Sequence, residues 1–153
     1  MTLKKKKKMT DTQKPELPVD LRKEIDALMM KSGEALRAGD MAASLALDEQ
    51  VWDMLPDPKT GWDFYPQVLT NGIIEDAFEN GTCHALDTWL PRFYAAYNDP
   101  DGTDPYTNKV AGHALYQCGR QEEGLEKFAS VLRDHGPEWF TGHYRVYLDK
   151  LGG

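Results

Sequence analysis

"LYQCGRQEEGLEKFASVL", residues 115–132, decides how the chain folds. Gly119 stands where one helix should stop and another begin. A second glycine, Gly124, stands five residues later, where the new helix should already be running. Glycine inside a helix costs about 1 kcal/mol relative to alanine, so its presence there asks for a packing reason. The same pattern recurs upstream. Gly39, Asn80 and Gly119 are turn residues that tolerate positive φ. Five positions after each stand Ser44, Ala85 and Gly124, all small. One position further stand Leu45, Leu86 and Leu125, and nine after the turn stand Asp48, Trp89 and Phe128. A small residue at a fixed place after each turn lets two helices of a hairpin cross closely, where a larger side chain would clash.

The rest of the chain reads as helix by the same periodicity. Leu21, Ile25, Leu28, Ser32 and Leu36 share one face of a first helix that Gly39 ends. Asp40 is a good N-cap for a second helix carrying Met41, Leu45, Trp52 and Leu55. "LPDPKTGW" then makes a loop. A third helix is predicted over about 63–79, with Tyr65, Leu69, Ile73 and Ala77 in phase. Thr82 can cap a fourth, which Pro91 should kink or shorten. "YNDPDGTDP" is a second long loop. A fifth helix follows over about 105–118, a sixth over about 121–135, and a seventh begins at Pro137. The fold class is all-α, about seven helices in antiparallel hairpins. Residues 1–17 are read as a disordered Lys-rich tail and 18–153 as one helical domain. Met9, directly after Lys4–Lys8, is a candidate for the true start.

The turn glycine, the small residue, the following leucine and the aromatic resemble the second helix of a tetratricopeptide repeat. Gly119, Gly124, Leu125 and Phe128 match best. Gly112, seven before the turn, matches the small residue of that repeat's first helix, and Ser32 holds the same place in the first hairpin. The resemblance covers about residues 20–150. The spacing of 41 and 39 residues exceeds the usual repeat, Asp48 replaces an apolar residue, and Pro91 interrupts the fourth helix. The stretch from Leu47 to Gly81 is also similar to a group of small bacterial tetratricopeptide-like proteins, through Trp52, Leu55, Pro56, Pro58 and Trp62. Some of these accompany polymorphic or contact-dependent toxins as immunity proteins. The resemblance implies a short right-handed α-solenoid, closed by the seventh helix, that binds protein.

Charge narrows the choice of partner. The 153 residues carry 18 basic and 25 acidic groups. Without Lys4–Lys8 the balance is 13 against 25, a net of −12. Such a body repels nucleic acid and anionic membrane and attracts basic proteins. Cys83 and Cys118 are read as reduced thiols of a cytoplasmic protein. The four histidines form no metal-ligand pattern, no phosphate loop is present, and "DPDGTD" misplaces the glycine of a calcium loop. No cofactor is expected. An enzyme using His113 or a carboxylate pair ranks last.

The expectation is therefore a non-catalytic binding module, first an immunity protein that occludes a basic toxin domain, alternatively a peptide-binding adaptor or chaperone. The candidate contact residues are Asp57, Trp62, Asp63 and Tyr65 after the first loop, Glu75, Asp76 and Glu79 on the third helix, and Asp101 and Asp104 in the second loop. The partner is a basic protein, possibly the C-terminal toxin domain of a secreted effector. The chain itself would be a monomer or a weak homodimer.

Overall fold

The computed structural model describes residues 13–152. The expected tail up to residue 12, with the candidate start at Met9, lies outside the described residues. Seven α-helices and no strand are found among them: α1 Val19–Arg37, α2 Met41–Met54, α3 Tyr65–Glu75, α4 Leu86–Ala96, α5 Pro105–Gln117, α6 Gln121–His135 and α7 Arg145–Lys150. The chain divides into two compact units, one through Gln67 and one from Val68.

In the first unit, α1 and α2 form a hairpin. Gly39 takes φ 82° at the turn, and the Asp40 carboxylate accepts from the Ala43 N–H at 3.0 Å, so the cap is as expected. The crossing is polar. Ser32 Oγ lies 2.8 Å from Ser44 Oγ and donates to Asp48 Oδ1 at 2.6 Å. The acid at the aromatic position thus has a local reason: it takes the Ser32 hydroxyl. Burial nevertheless pushes its carboxyl up, against the lowering effect of that hydrogen bond. Residues 14–17, read as tail, are packed instead. Pro15 accepts from the Asp63 N–H at 2.8 Å, Lys14 Nζ donates to the Thr60 carbonyl at 2.6 Å, and Leu17 is buried.

In the second unit, α5 and α6 form the tightest crossing, and Gly124 sits at its centre. A Cβ placed on Gly124 would lie 2.6 Å from the Gly112 carbonyl oxygen and 2.9 Å from the Tyr116 nitrogen. One placed on Gly112 would lie 2.9 Å from the Phe128 ring and 3.0 Å from the Gly124 oxygen. Each glycine is therefore the space the other helix occupies. Phe128 fills the gap beyond them and stacks on Tyr147 at 4.0 Å between ring centroids. Val131 and Phe140 complete this core. Gly119 turns the chain with φ 89°.

Two helices depart from expectation, α3 and α7. α3 ends at Glu75 rather than near 79, and Thr82 closes the turn that follows: its N–H and its hydroxyl both donate to the Ala77 carbonyl, at 2.8 and 3.3 Å. The left-handed residue of that turn is Gly81, φ 71°, not Asn80. The predicted seventh helix from Pro137 is broken into 3-10 turns at Pro137–Trp139 and Gly142–Tyr144 before α7. Pro91 lies inside α4, which continues to Ala96. The "NDPDGTD" loop is organised by Asp99. Its carboxylate accepts from Thr107 Oγ1 at 2.5 Å, Thr103 N at 2.8 Å and Asp104 N at 3.0 Å. Burial pushes this carboxyl up, but the hydrogen bonds outweigh it and hold it below the usual range.

The reading of the cysteines as free thiols is overturned. Cys83, in a 3-10 turn before α4, and Cys118, the C-cap of α5, form a disulfide with Cα atoms 5.6 Å apart. Count and presumed compartment argued for thiols; proximity across the fold decides otherwise.

Two predictions follow from this packing. Gly124→Ala should lower stability by about 1–3 kcal/mol through overpacking, whereas Gly72→Ala, whose Cβ would meet nothing within 4 Å, should be neutral or stabilising by up to about 1 kcal/mol. Urea midpoints of the two variants, moving in opposite directions, check this. Reduction of the Cys83–Cys118 bridge, which spans 35 residues of sequence, should cost about 2–4 kcal/mol, read as a drop in melting temperature that the Cys83→Ser, Cys118→Ser double variant reproduces.

Candidate functional site

The last turn of α3 and the outer face of α5 build the most chemically distinctive surface of the second unit. Asn71 and Glu75 are four residues apart on α3 and therefore share a face. Asn71 Nδ2 donates to Glu75 Oε1 at 3.2 Å. From α5, Tyr106 donates its hydroxyl to Asn71 Oδ1 at 2.8 Å. Asn71 is thus fixed from both sides, and through it the Glu75 carboxylate is positioned. One and two turns along α5 from Tyr106 stand Val110 and His113. The segment after α6 returns to this place and contributes His143 and Tyr144. Glu75, Val110, His113, His143 and Tyr144 line a hollow of about 140 Å³.

The rings around it are mutually oriented. His113 and His143 have centroids 4.9 Å apart, and His143 and Tyr144 4.1 Å. His113 Nδ1 shares a hydrogen bond with the Tyr147 hydroxyl at 2.7 Å, which fixes the imidazole. Burial, and secondarily the nearby His143, pull His113 below its ordinary pKa, so it is neutral at pH 7. Tyr97, Tyr106 and Tyr144 are all raised, first by burial and then in part by the negative charge of Glu75. The field of that carboxylate therefore reaches three tyrosines. Lys109 is the cation beside this surface. Its Nζ donates to the Trp139 carbonyl at 3.0 Å and lies 5.2 Å and 4.7 Å from the Trp139 and Tyr144 ring centroids.

Among the described residues, no cation forms an ion pair with Glu75, Asp76, Glu79 or Asp101, all of which are exposed. Three other acids of the unit are ion-paired. Asp87 and Glu123 both hold Arg120 at 2.8 Å, and Asp134 holds Arg133 at 2.9 Å. A larger groove of about 460 Å³ runs past Leu90, Pro91, Tyr94 and Leu115 to Arg120 and Lys127. Its charges are already satisfied: Arg120 by the two acids, and Lys127 by the Tyr94 ring at 5.2 Å. The small hollow with a free carboxylate is the stronger candidate for recognition.

The other candidate residues are distributed as follows. Asp104 is exposed but spends its carboxylate on capping α5, accepting from the Tyr106 N–H at 2.8 Å. In the first unit, Asp57 and Asp63 are exposed. Trp62 is half-buried and donates its Nε1–H to the Pro56 carbonyl at 2.8 Å. Tyr65 is buried, with its hydroxyl on Asp26 at 2.8 Å. The aromatic that does face solvent there is Phe64, 52 % exposed and at φ 75°, a left-handed conformation that costs a bulky residue free energy. Residues 139–144 were missed by sequence reasoning, since short 3-10 turns carry no helical period. The Asn71–Glu75 and Tyr106–Val110–His113 spacings were visible but unremarkable alone.

No group of three or more His, Cys, Asp or Glu among the described residues is arranged to hold a metal ion. No described helix is long and apolar enough to cross a membrane. Comparison with family models, with curated proteins and with solved structures finds no match.

Proposed function

We propose that this chain is a non-catalytic protein-binding module, and specifically an immunity protein that occludes a basic toxin domain. One observation carries the reading: Glu75, Asp76, Glu79 and Asp101 stand exposed with no cationic partner among the described residues, in a chain whose charge outside Lys4–Lys8 is −12. Exposed carboxylates that no cation among the described residues engages are available to a basic partner. Carboxylates facing a toxin's substrate-binding cations would block it by occupation, and complementary charge speeds encounter.

The tetratricopeptide-like reading of the scaffold rests on the recurrence of one crossing. Ser32 with Ser44, and Gly112 with Gly124, are equivalent pairs in the first and last hairpins. In this proposal the hairpins are degenerate repeats of a short solenoid. The bridged cysteines favour an oxidising compartment over the cytoplasm for the working protein.

A second reading, a peptide-binding adaptor, is favoured by Tyr106 and Trp139, which are 38 % and 39 % exposed and adjoin the hollow through Asn71 and Lys109. Capture of a peptide carboxylate is disfavoured, since Lys109 is already engaged.

The test is a pull-down with the full chain at graded ionic strength. The expected outcome is one basic protein, bound at low salt and released at high salt. The triple variant Glu75→Lys, Asp76→Lys, Glu79→Lys should weaken capture by tenfold or more, roughly the effect of placing like charges across an interface. Its thermal stability should be nearly unchanged, because the substitutions are exposed. Salt-insensitive recovery of peptides or chaperones alone would transfer the assignment to the adaptor reading.

A further inference from the structure

Glycine inside a helix needs a reason, and the helical glycines of the second unit give different ones. Gly112 and Gly124 are filled by each other's helices, as described above. Gly72, in the middle of α3, is exposed, and a Cβ there would meet nothing within 4 Å. No packing among the described residues explains it. Gly72 lies three residues before Glu75 and four after Val68, itself 41 % exposed, so all three share a face. The result is bare backbone next to a carboxylate that no cation among the described residues neutralises.

We infer that the hollow lined by Glu75, Val110, His113, His143 and Tyr144, with Gly72 one turn before Glu75 on α3, receives an arginine side chain from a partner protein. The inference rests on the protein-binding reading and deepens it by naming the recognised group. Three features select a guanidinium. Glu75 offers a planar acceptor whose Oε1 is steadied by Asn71 at 3.2 Å, and a guanidinium forks onto a carboxylate with two parallel N–H donors. The exposed His143 ring, held at 4.1 Å from Tyr144, offers a surface on which a flat cation stacks. The neutral His113, engaged with Tyr147, adds no positive charge to oppose it. Lys109 already occupies the Tyr144 ring at 4.7 Å, so the incoming group is held by Glu75 and His143. The absent side chain at Gly72 leaves room for the aliphatic stem of the incoming residue.

The experiment titrates the full chain with acetyl-Gly-Arg-Gly-amide, followed by amide chemical shifts, with the lysine and citrulline peptides alongside. The expected result is a shift of Gly72, Glu75, His113 and His143 by the arginine peptide, a weaker response to lysine, and none to the uncharged citrulline isostere. Glu75→Gln should weaken binding about tenfold or more, the scale of one charge-assisted hydrogen bond. Gly72→Leu should block it while leaving the melting temperature in place. Glu79→Gln, outside the hollow, should bind as the parent does. Shifts centred elsewhere, equal binding of the citrulline peptide, or undiminished binding by Glu75→Gln would overturn the inference. The protein-binding reading would survive that result if the pull-down still recovered a basic protein, and would fall separately if it did not.

Discussion

The close crossing of α5 and α6 is the constraint on which the second unit depends. Two backbones approach until each occupies the place of the other's missing Cβ, with Gly112 and Gly124 facing one another. No other residue fits there, so the helix-propensity cost of both glycines is offset by contact that a side chain would prevent. The Phe128 ring then lies over Gly112 and stacks on Tyr147, which fastens the C-terminal segment. The first unit meets the same geometric demand with chemistry rather than absence. Its two small residues are serines, and Ser32 ties Ser44 and Asp48 together by hydrogen bonds. One geometry thus has a dry and a polar solution within a single chain.

That crossing also places the candidate site. Successive residues on a helix point about 100° apart, so pressing Gly112 against α6 turns His113 to another side, in line with Val110 and Tyr106. Phe128 and Phe140 hold the return segment, and this brings His143 and Tyr144 to the same hollow. Packing energy spent inside the unit therefore pre-positions rings and a carboxylate that face solvent. The disulfide adds a covalent tie between the turn before α4 and the end of α5, close to the Arg120 bridge that joins Asp87 and Glu123.

Much of this was legible in the sequence, for reasons that differ by element. The bounds of α2, α5 and α6 were clear because caps and turn glycines coincide with the apolar period, as Asp40 and Gly119 show. The role of Gly124 was legible because two other small residues stand at the same offset. The end of α3 was not, since the chain leaves the helix at Glu75, several residues before Gly81 and the Thr82 contacts to Ala77 close the turn. The disulfide was hidden because pairing is a matter of distance, and 35 residues of sequence conceal 5.6 Å. At the site, acidity on α3 was plain, but the enclosure of Glu75 was not, because His143 and Tyr144 arrive on 3-10 turns. In the first unit Asp57 and Asp63 are exposed, but Tyr65 turns inward to Asp26 and the aromatic that faces out is Phe64.

The account holds that the unpaired carboxylates are unpaired because a basic partner neutralises them. Hydrogen exchange of the chain alone and in complex with the captured partner tests this most directly. Protection confined to the end of α3, the 99–104 loop and residues 139–144 is the result the account predicts. Protection centred on the groove at Arg120 and Lys127, with the Glu75 region unchanged, would contradict it.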